Sequence, residues 1–172
     1  RGYIQTSHLT DGYFDFRGHF VAIPQFFSNF WGYGASLWGP VDDMSFQVGI
    51  IHWAILTVVL STTILWFRKK YGLLVLALMM AFLFSLFMQH NQSSPIWERF
   101  SILAFVQFPW RFLGISIFFI SLLGALVVLP AKNIKNQWML TASLIAVIIG
   151  WNIQFFHPDS YYLDSTDAHY MG

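Results

Sequence analysis

Four long apolar runs divide this chain of 172 residues: 48–67, 71–88, 112–129 and 138–156. An α-helix rises about 1.5 Å per residue, so roughly 20 residues cross the ~30 Å hydrocarbon layer of a membrane. The third run has no charge and holds thirteen Leu, Ile, Val or Phe residues. Each contributes about −0.3 to −0.6 kcal/mol near the bilayer centre, which favours insertion by several kcal/mol. A soluble bundle would need a polar stripe on its helices, and these runs have almost none. The pattern predicts an all-α integral membrane bundle of four transmembrane helices, with external interfacial helices beside them.

The connecting segments are patterned too. Residues 20–31 (FVAIPQFFSNFW) are apolar but short and interrupted by Pro24, so they are expected in the interface or packed under a larger membrane domain. Residues 32–40 (GYGASLWGP) are turn-rich. Asp42, Asp43 and Ser45 offer N-caps for the first spanning helix. The middle loop, from Gln89 to about Arg111, holds 100–107 (FSILAFVQ), too short to cross, and Pro109 stands where the first turn of the third span would begin. Small residues recur on the spans: Ala54, Thr57 and Ser61; Ser121 and Ala125; Ala142, Ala146 and Gly150. They would let transmembrane helices approach closely.

Charge then gives the bundle a side. Arg68, Lys69 and Lys70 fill the first connection and Lys132 and Lys135 the third, with no acid in either. Asp11, Asp15, Asp42, Asp43, Glu98, Asp159, Asp164 and Asp167 all fall before the first run, after the second or after the fourth. Short Lys/Arg-rich loops stay in the cytoplasm, so both chain ends and the middle loop are expected outside a cell membrane. The chain reads as a single membrane domain, 1–172, with an external aromatic-rich segment (1–47), four spans within 48–156 and an external tail (157–172). It begins at Arg1 without Met and lacks a signal-peptide pattern, and is read as a piece of a longer polypeptide.

Composition adds less. At 56% apolar, 10% charged and a mean hydropathy of +0.56, a soluble domain is excluded. The eight Trp residues sit near run ends or in the external segments, the headgroup level where indole rings settle. No basic patch supports a nucleic-acid partner. The absence of cysteine excludes disulfides and Cys-ligated metals.

Asp11, Asp15 and His19 are spaced four and four, so a helix would put them on one face. Two carboxylates and an imidazole can hold a divalent metal (Mg²⁺, Mn²⁺ or Zn²⁺) or act as acid and base. Gly12 and Gly18 weaken such a helix, and a solvated aromatic loop is the competing reading. Gly32-Tyr-Gly34 lacks the Lys-Ser/Thr ending of a phosphate loop and reads as a turn. Asn91-Gln92-Ser93 fits the glycosylation pattern but sits very near the membrane. His52 is the ionisable group well inside a run, about two turns from its external end; a structural role competes with a functional one. Gln107-Phe108-Pro109-Trp110-Arg111 is the sharpest signal. It holds Arg111 at headgroup depth, where a guanidinium either grips a lipid phosphate bidentately or simply snorkels.

Pro95-Ile-Trp-Glu-Arg99 followed by Gln107-Phe-Pro-Trp-Arg-Phe112 resembles bacterial polytopic proteins with the 6-pyruvoyl-tetrahydropterin synthase-related membrane domain. Gly12-Tyr-Phe-Asp-Phe-Arg-Gly-His-Phe20, Tyr33-Gly-Ala-Ser36 and Gly39-Pro-Val-Asp-Asp-Met-Ser-Phe-Gln-Val-Gly49 are similar to the same proteins. Their architecture resembles the GT-C glycosyltransferases, which use polyprenyl-phosphate sugars on the external face. The resemblance implies that this chain is part of such an enzyme. GT-C enzymes place a key acid in the first external loop, which this chain is expected to lack. It would supply part of the donor and acceptor cleft, with Asp11, Asp15, His19 and Glu98 as catalytic candidates. Arg111 and Gln107 would bind the lipid phosphate, and a Mg or Mn ion would be the metal held by Asp11, Asp15 and His19. The rivals are a transporter-like subunit and a non-catalytic membrane scaffold.

Overall fold

A computed structural model describes residues 10–37, 39, 41–67, 71–128 and 133–156, with side chains omitted at 62–67. Arg68, Lys69, Lys70 and Lys132 of the basic connections, and the tail 157–172 with its three acids, lie outside the described residues. Among the described residues the chain is helical, with one isolated bridge, Tyr33 to Met44, and no strand. The α-helices are α1 (Ile50–Phe67), α2 (Gly72–Gln89), α3 (Ser94–Arg99), α4 (Phe112–Val127) and α5 (Ile134–Asn152). Three helical stretches are long and apolar enough to cross a membrane: Gly72–Gln89, Pro109–Val127 and Ile134–Phe155. α1 is apolar through its described part, Ile50–Ser61.

Helix ends depart from the apolar runs where hydrogen bonding overrides hydropathy. α5 begins at Ile134, four residues before the fourth run, because the Asn133 side chain accepts from the Asn136 N–H at 2.8 Å and starts the helix through polar residues. α1 begins later than Asp42, Asp43 and Ser45 would allow as caps. Asp42 is occupied elsewhere, accepting from Gln25 Nε2 at 2.5 Å and from Leu37 N–H at 2.6 Å. Gly49, at φ +94°, turns the chain into α1 instead and accepts from the His52 N–H. The turn expected at Gly32 and Gly34 is a close approach: a Cβ at either glycine would collide with Asp43, to whose carbonyl the Gly34 N–H donates at 3.0 Å.

The segment 10–48 gathers helix ends. The Val21 N–H donates to Gln89 O at the end of α2, at 2.8 Å. Phe26 O accepts from the Val48 N–H and from Trp53 Nε1–H near the start of α1. Phe46 lies 5.9 Å from Trp110 just before α4, and Trp31 stacks at 4.9 Å on Phe155 just after α5. The starts of α1 and α4 and the ends of α2 and α5 therefore share one end of the molecule.

A main core joins Val21, Phe26, Phe46 and Val48 to Leu56 and Val59 of α1, Val75 and Phe82 of α2, and Ile120 and Leu123 of α4. α2 and α4 form the closest helix pair, locked by polar groups. Ser85 Oγ lies 2.8 Å from Ser116 Oγ, and Gln89 Nε2 donates to Ser116 Oγ at 2.9 Å and to Ser85 O at 3.0 Å. The small residue that admits a neighbour is Gly124, whose added Cβ would meet Ile55 of α1 at 3.3 Å. Ala142, Ala146 and Gly150 are exposed, and Thr57 and Ser61 hydrogen-bond back to their own helix. Trp97 departs from the expected headgroup placement: it is buried, stacks on Phe16 at 5.3 Å and donates its Nε1–H to Met88 O.

Candidate functional site at the gathered helix ends

The stretch from Asp11 to His19 is two short 3-10 turns, Gly12–Phe14 and Phe16–Gly18, in place of one helix. Gly12 takes φ +62°, and Asp15 is extended between the turns, capping the second by accepting from the Arg17 N–H. The single-face arrangement of Asp11, Asp15 and His19 is therefore not formed. Asp11 is exposed. Asp15 pairs with Arg17 at 3.3 Å, and Glu98 of α3 pairs with the same guanidinium at 3.3 Å. His19 is buried: Nε2 donates to the Tyr13 carbonyl and Nδ1 lies 2.8 Å from Ser36 Oγ. The carbonyl can only accept, so Nε2 carries a proton. Both nitrogens are used, which makes His19 a clasp between two loops. Among the described residues no group of three or more His, Asp or Glu side chains is placed to hold one metal ion.

Arg111 sits differently. The 3-10 turn Pro109–Arg111 leads directly into α4, with Pro at the first turn where its missing N–H costs nothing. The Arg111 guanidinium lies 5.0 Å over the Phe108 ring, and its Nη1 donates to Val106 O at 2.8 Å. It is exposed, and no carboxylate pairs with it among the described residues. Four of its five N–H donors remain for another acceptor. Gln107 takes φ +67°, unusual for a side-chain-bearing residue, and makes the reversal between the 3-10 stretch Ser101–Val106 and Pro109. Ile102 and Phe105 stand exposed on that stretch, and Phe100 just before it.

The feature that sequence reading missed is a half-open cleft of about 800 Å³ between α1, α5 and the aromatic segment. Trp31, Ile148, Ile149, Ile153, Phe155 and Phe156 give it apolar walls. Tyr33, His52 and Asn152 add its polar tips, with His52 Nδ1 itself buried against the Gly49 backbone at the start of α1. His52 was visible as an ionisable residue inside an apolar run; its cleft neighbours, about 20 and 100 residues away, were not. Comparison with protein-family models, curated proteins and solved structures finds no match to this chain.

Proposed function

We propose that this chain is the membrane part of a GT-C-like glycosyltransferase that transfers a sugar from a polyprenyl-phosphate donor on the external face. In this reading α1 completes a set of four spans, and both chain ends lie outside the cell membrane. The observation that carries it is Arg111: an exposed guanidinium without a carboxylate partner among the described residues, fixed by Phe108 and Val106 at the mouth of an apolar helix. Arg17 offers no comparable site, since Asp15 and Glu98 already face it. Arg111 would stabilise the charge that develops on the departing lipid phosphate, while a carboxylate takes the acceptor hydroxyl proton. The gathering of alternate helix ends supports an up-and-down crossing. The exposed Phe100, Ile102 and Phe105 support an interfacial seat for the middle loop. A scaffold role is the second reading, favoured by α5, which has no buried residue.

Arg111 separates the two. Arg111→Lys keeps the charge but loses the planar fork. Loss of charge-assisted hydrogen bonds worth about 1.5–3 kcal/mol predicts tenfold or greater weakening of polyprenyl-phosphate binding by the full-length protein, and Arg111→Ala should weaken it further. Equal binding by wild type and both variants would leave Arg111 an anchor and favour the scaffold. Sidedness has its own test. A cysteine at the exposed Gln92 should label with an impermeant thiol reagent in intact cells, and one at the exposed Asn136 should not. Labelling at both positions would overturn the four-span arrangement.

A further inference from the structure

We propose that the ridge formed by Phe100, Ile102 and Phe105, with Arg99 at its head, seats on the phosphates and upper acyl chains of an anionic phospholipid leaflet. The inference deepens the interfacial seat given to the middle loop above and rests on it, but not on Arg111 as a donor site. A 3-10 helix has three residues per turn, so side chains three apart line up in rows. Along Ser101–Val106, Ile102 and Phe105 form one row, 74% and 53% exposed. Leu103 and Val106 form the next row, which packs with Ala104 against the buried Phe16, Met88 and Trp97. The inward row fixes the outward one, so the fold itself holds the ridge out. Phe100, also exposed, continues it back to the end of α3.

Position and charge choose the occupant. Three residues beyond Val106 the membrane-length stretch Pro109–Val127 begins, so the ridge lies at the depth where that helix would enter a bilayer. Apolar side chains at that depth meet the tops of acyl chains. Arg99, the last residue of α3, is exposed, and no carboxylate pairs with it among the described residues. Its neighbour Glu98 already faces Arg17 at 3.3 Å. Arg111 stands at the other end of the ridge, where its Nη1 donates to Val106 O. The stretch between has six residues. At about 2 Å of rise per residue, the two cationic ends are set roughly 12 Å apart. An apolar ridge between two cations complements a leaflet of net negative charge, which attracts each Arg near its surface. A zwitterionic lipid offers the same acyl chains, but its ammonium group cancels that field.

The test is photolabelling of the intact protein in phosphatidylcholine nanodiscs holding a minor fraction of phosphatidylglycerol. A diazirine is placed high in the acyl chain of one lipid or the other, and the label is mapped by peptide mass spectrometry. Relative to its share of the bilayer, phosphatidylglycerol should label residues 100–106 about fivefold or more over phosphatidylcholine. Arg99→Gln should cut that preference about fivefold, the worth of one Arg at an anionic surface, and Arg99→Lys should keep it. Ile102→Ser should lower the label from both lipids. Salt of about 1 M, which shortens the reach of charge from about 10 Å to about 3 Å, should reduce the preference and leave the phosphatidylcholine label in place. Arg99→Gln should leave polyprenyl-phosphate binding unchanged, so failure here and failure of the Arg111 reading are separable. Label absent from 100–106, as a covering protein partner would cause, would overturn the proposal. Equal labelling by the two lipids, or a preference that survives Arg99→Gln, would overturn it as well.

Discussion

α4 and α5 are both long apolar helices, yet they live in different surroundings. α4 buries Ser116, Ile120, Leu123 and Gly124, one continuous face at intervals of four, three and one, against α2 and α1. α5 buries nothing among its described residues and meets the rest of the chain mainly where Phe155 stacks on Trp31 and its carbonyl accepts from Tyr33. The difference teaches that apolar content decides whether a helix suits a membrane, whereas packing against neighbours needs something more specific. On α4 that is a glycine facing Ile55 and a serine facing Ser85 and Gln89. On α5 the small residues are equally regular, but among the described residues nothing covers them.

The largest effect should come from emptying the packed face. Leu123→Ala removes a fully buried side chain and should destabilise the protein by about 2–5 kcal/mol. Ile145→Ala on α5, where the side chain is exposed, should stay within about 0.5 kcal/mol. Reversible unfolding in bicelles would measure both. Equal losses would mean that α5 is packed against something in the bilayer, and the contrast would collapse.

This contrast marks the limit of what the sequence shows. Hydropathy located the helices well: the runs 71–88 and 112–129 correspond to α2 and the start of α4 to within a residue or two. It could not assign burial, because a helix that is apolar all round carries no stripe to point inward. Hence Trp97, grouped with the interfacial indoles, proved to be a core residue, and the Ala142–Gly150 series proved to be uncovered. The region's local geometry was legible where neighbouring residues decide it, as at Pro109, which opens the turn into α4. It was illegible where long-range pairing decides: Arg17 joins Asp15 to Glu98 from 81 residues away, and Ser36 reaches His19 across 17. The four-residue spacing of Asp11, Asp15 and His19 signalled a helix that a left-handed Gly12 prevents.

A smaller effect should sharpen the same comparison. Gln89, Ser85 and Ser116 are buried together, and the Gln89 amide nitrogen bridges both helices. Interhelical hydrogen bonds in membranes contribute about 0.6 kcal/mol on average and up to about 1.7 kcal/mol. Ser116→Ala should fall in that range. Gln89→Leu removes the shared bond to Ser116 and its own bond to Ser85 O, but also the Oε1 acceptor, which is buried without a partner, so relief of that desolvation should make its cost the lower of the two. The double variant should cost less than the sum of the singles, by about 0.5 kcal/mol or more, because either change alone already breaks the shared bond. On α5, Thr141→Val loses only a bond to its own helix, at Gln137 O, and should have almost no effect. Strict additivity of Gln89→Leu and Ser116→Ala would show that the two side chains do not act as one lock. The α2–α4 pairing would then rest on apolar shape alone.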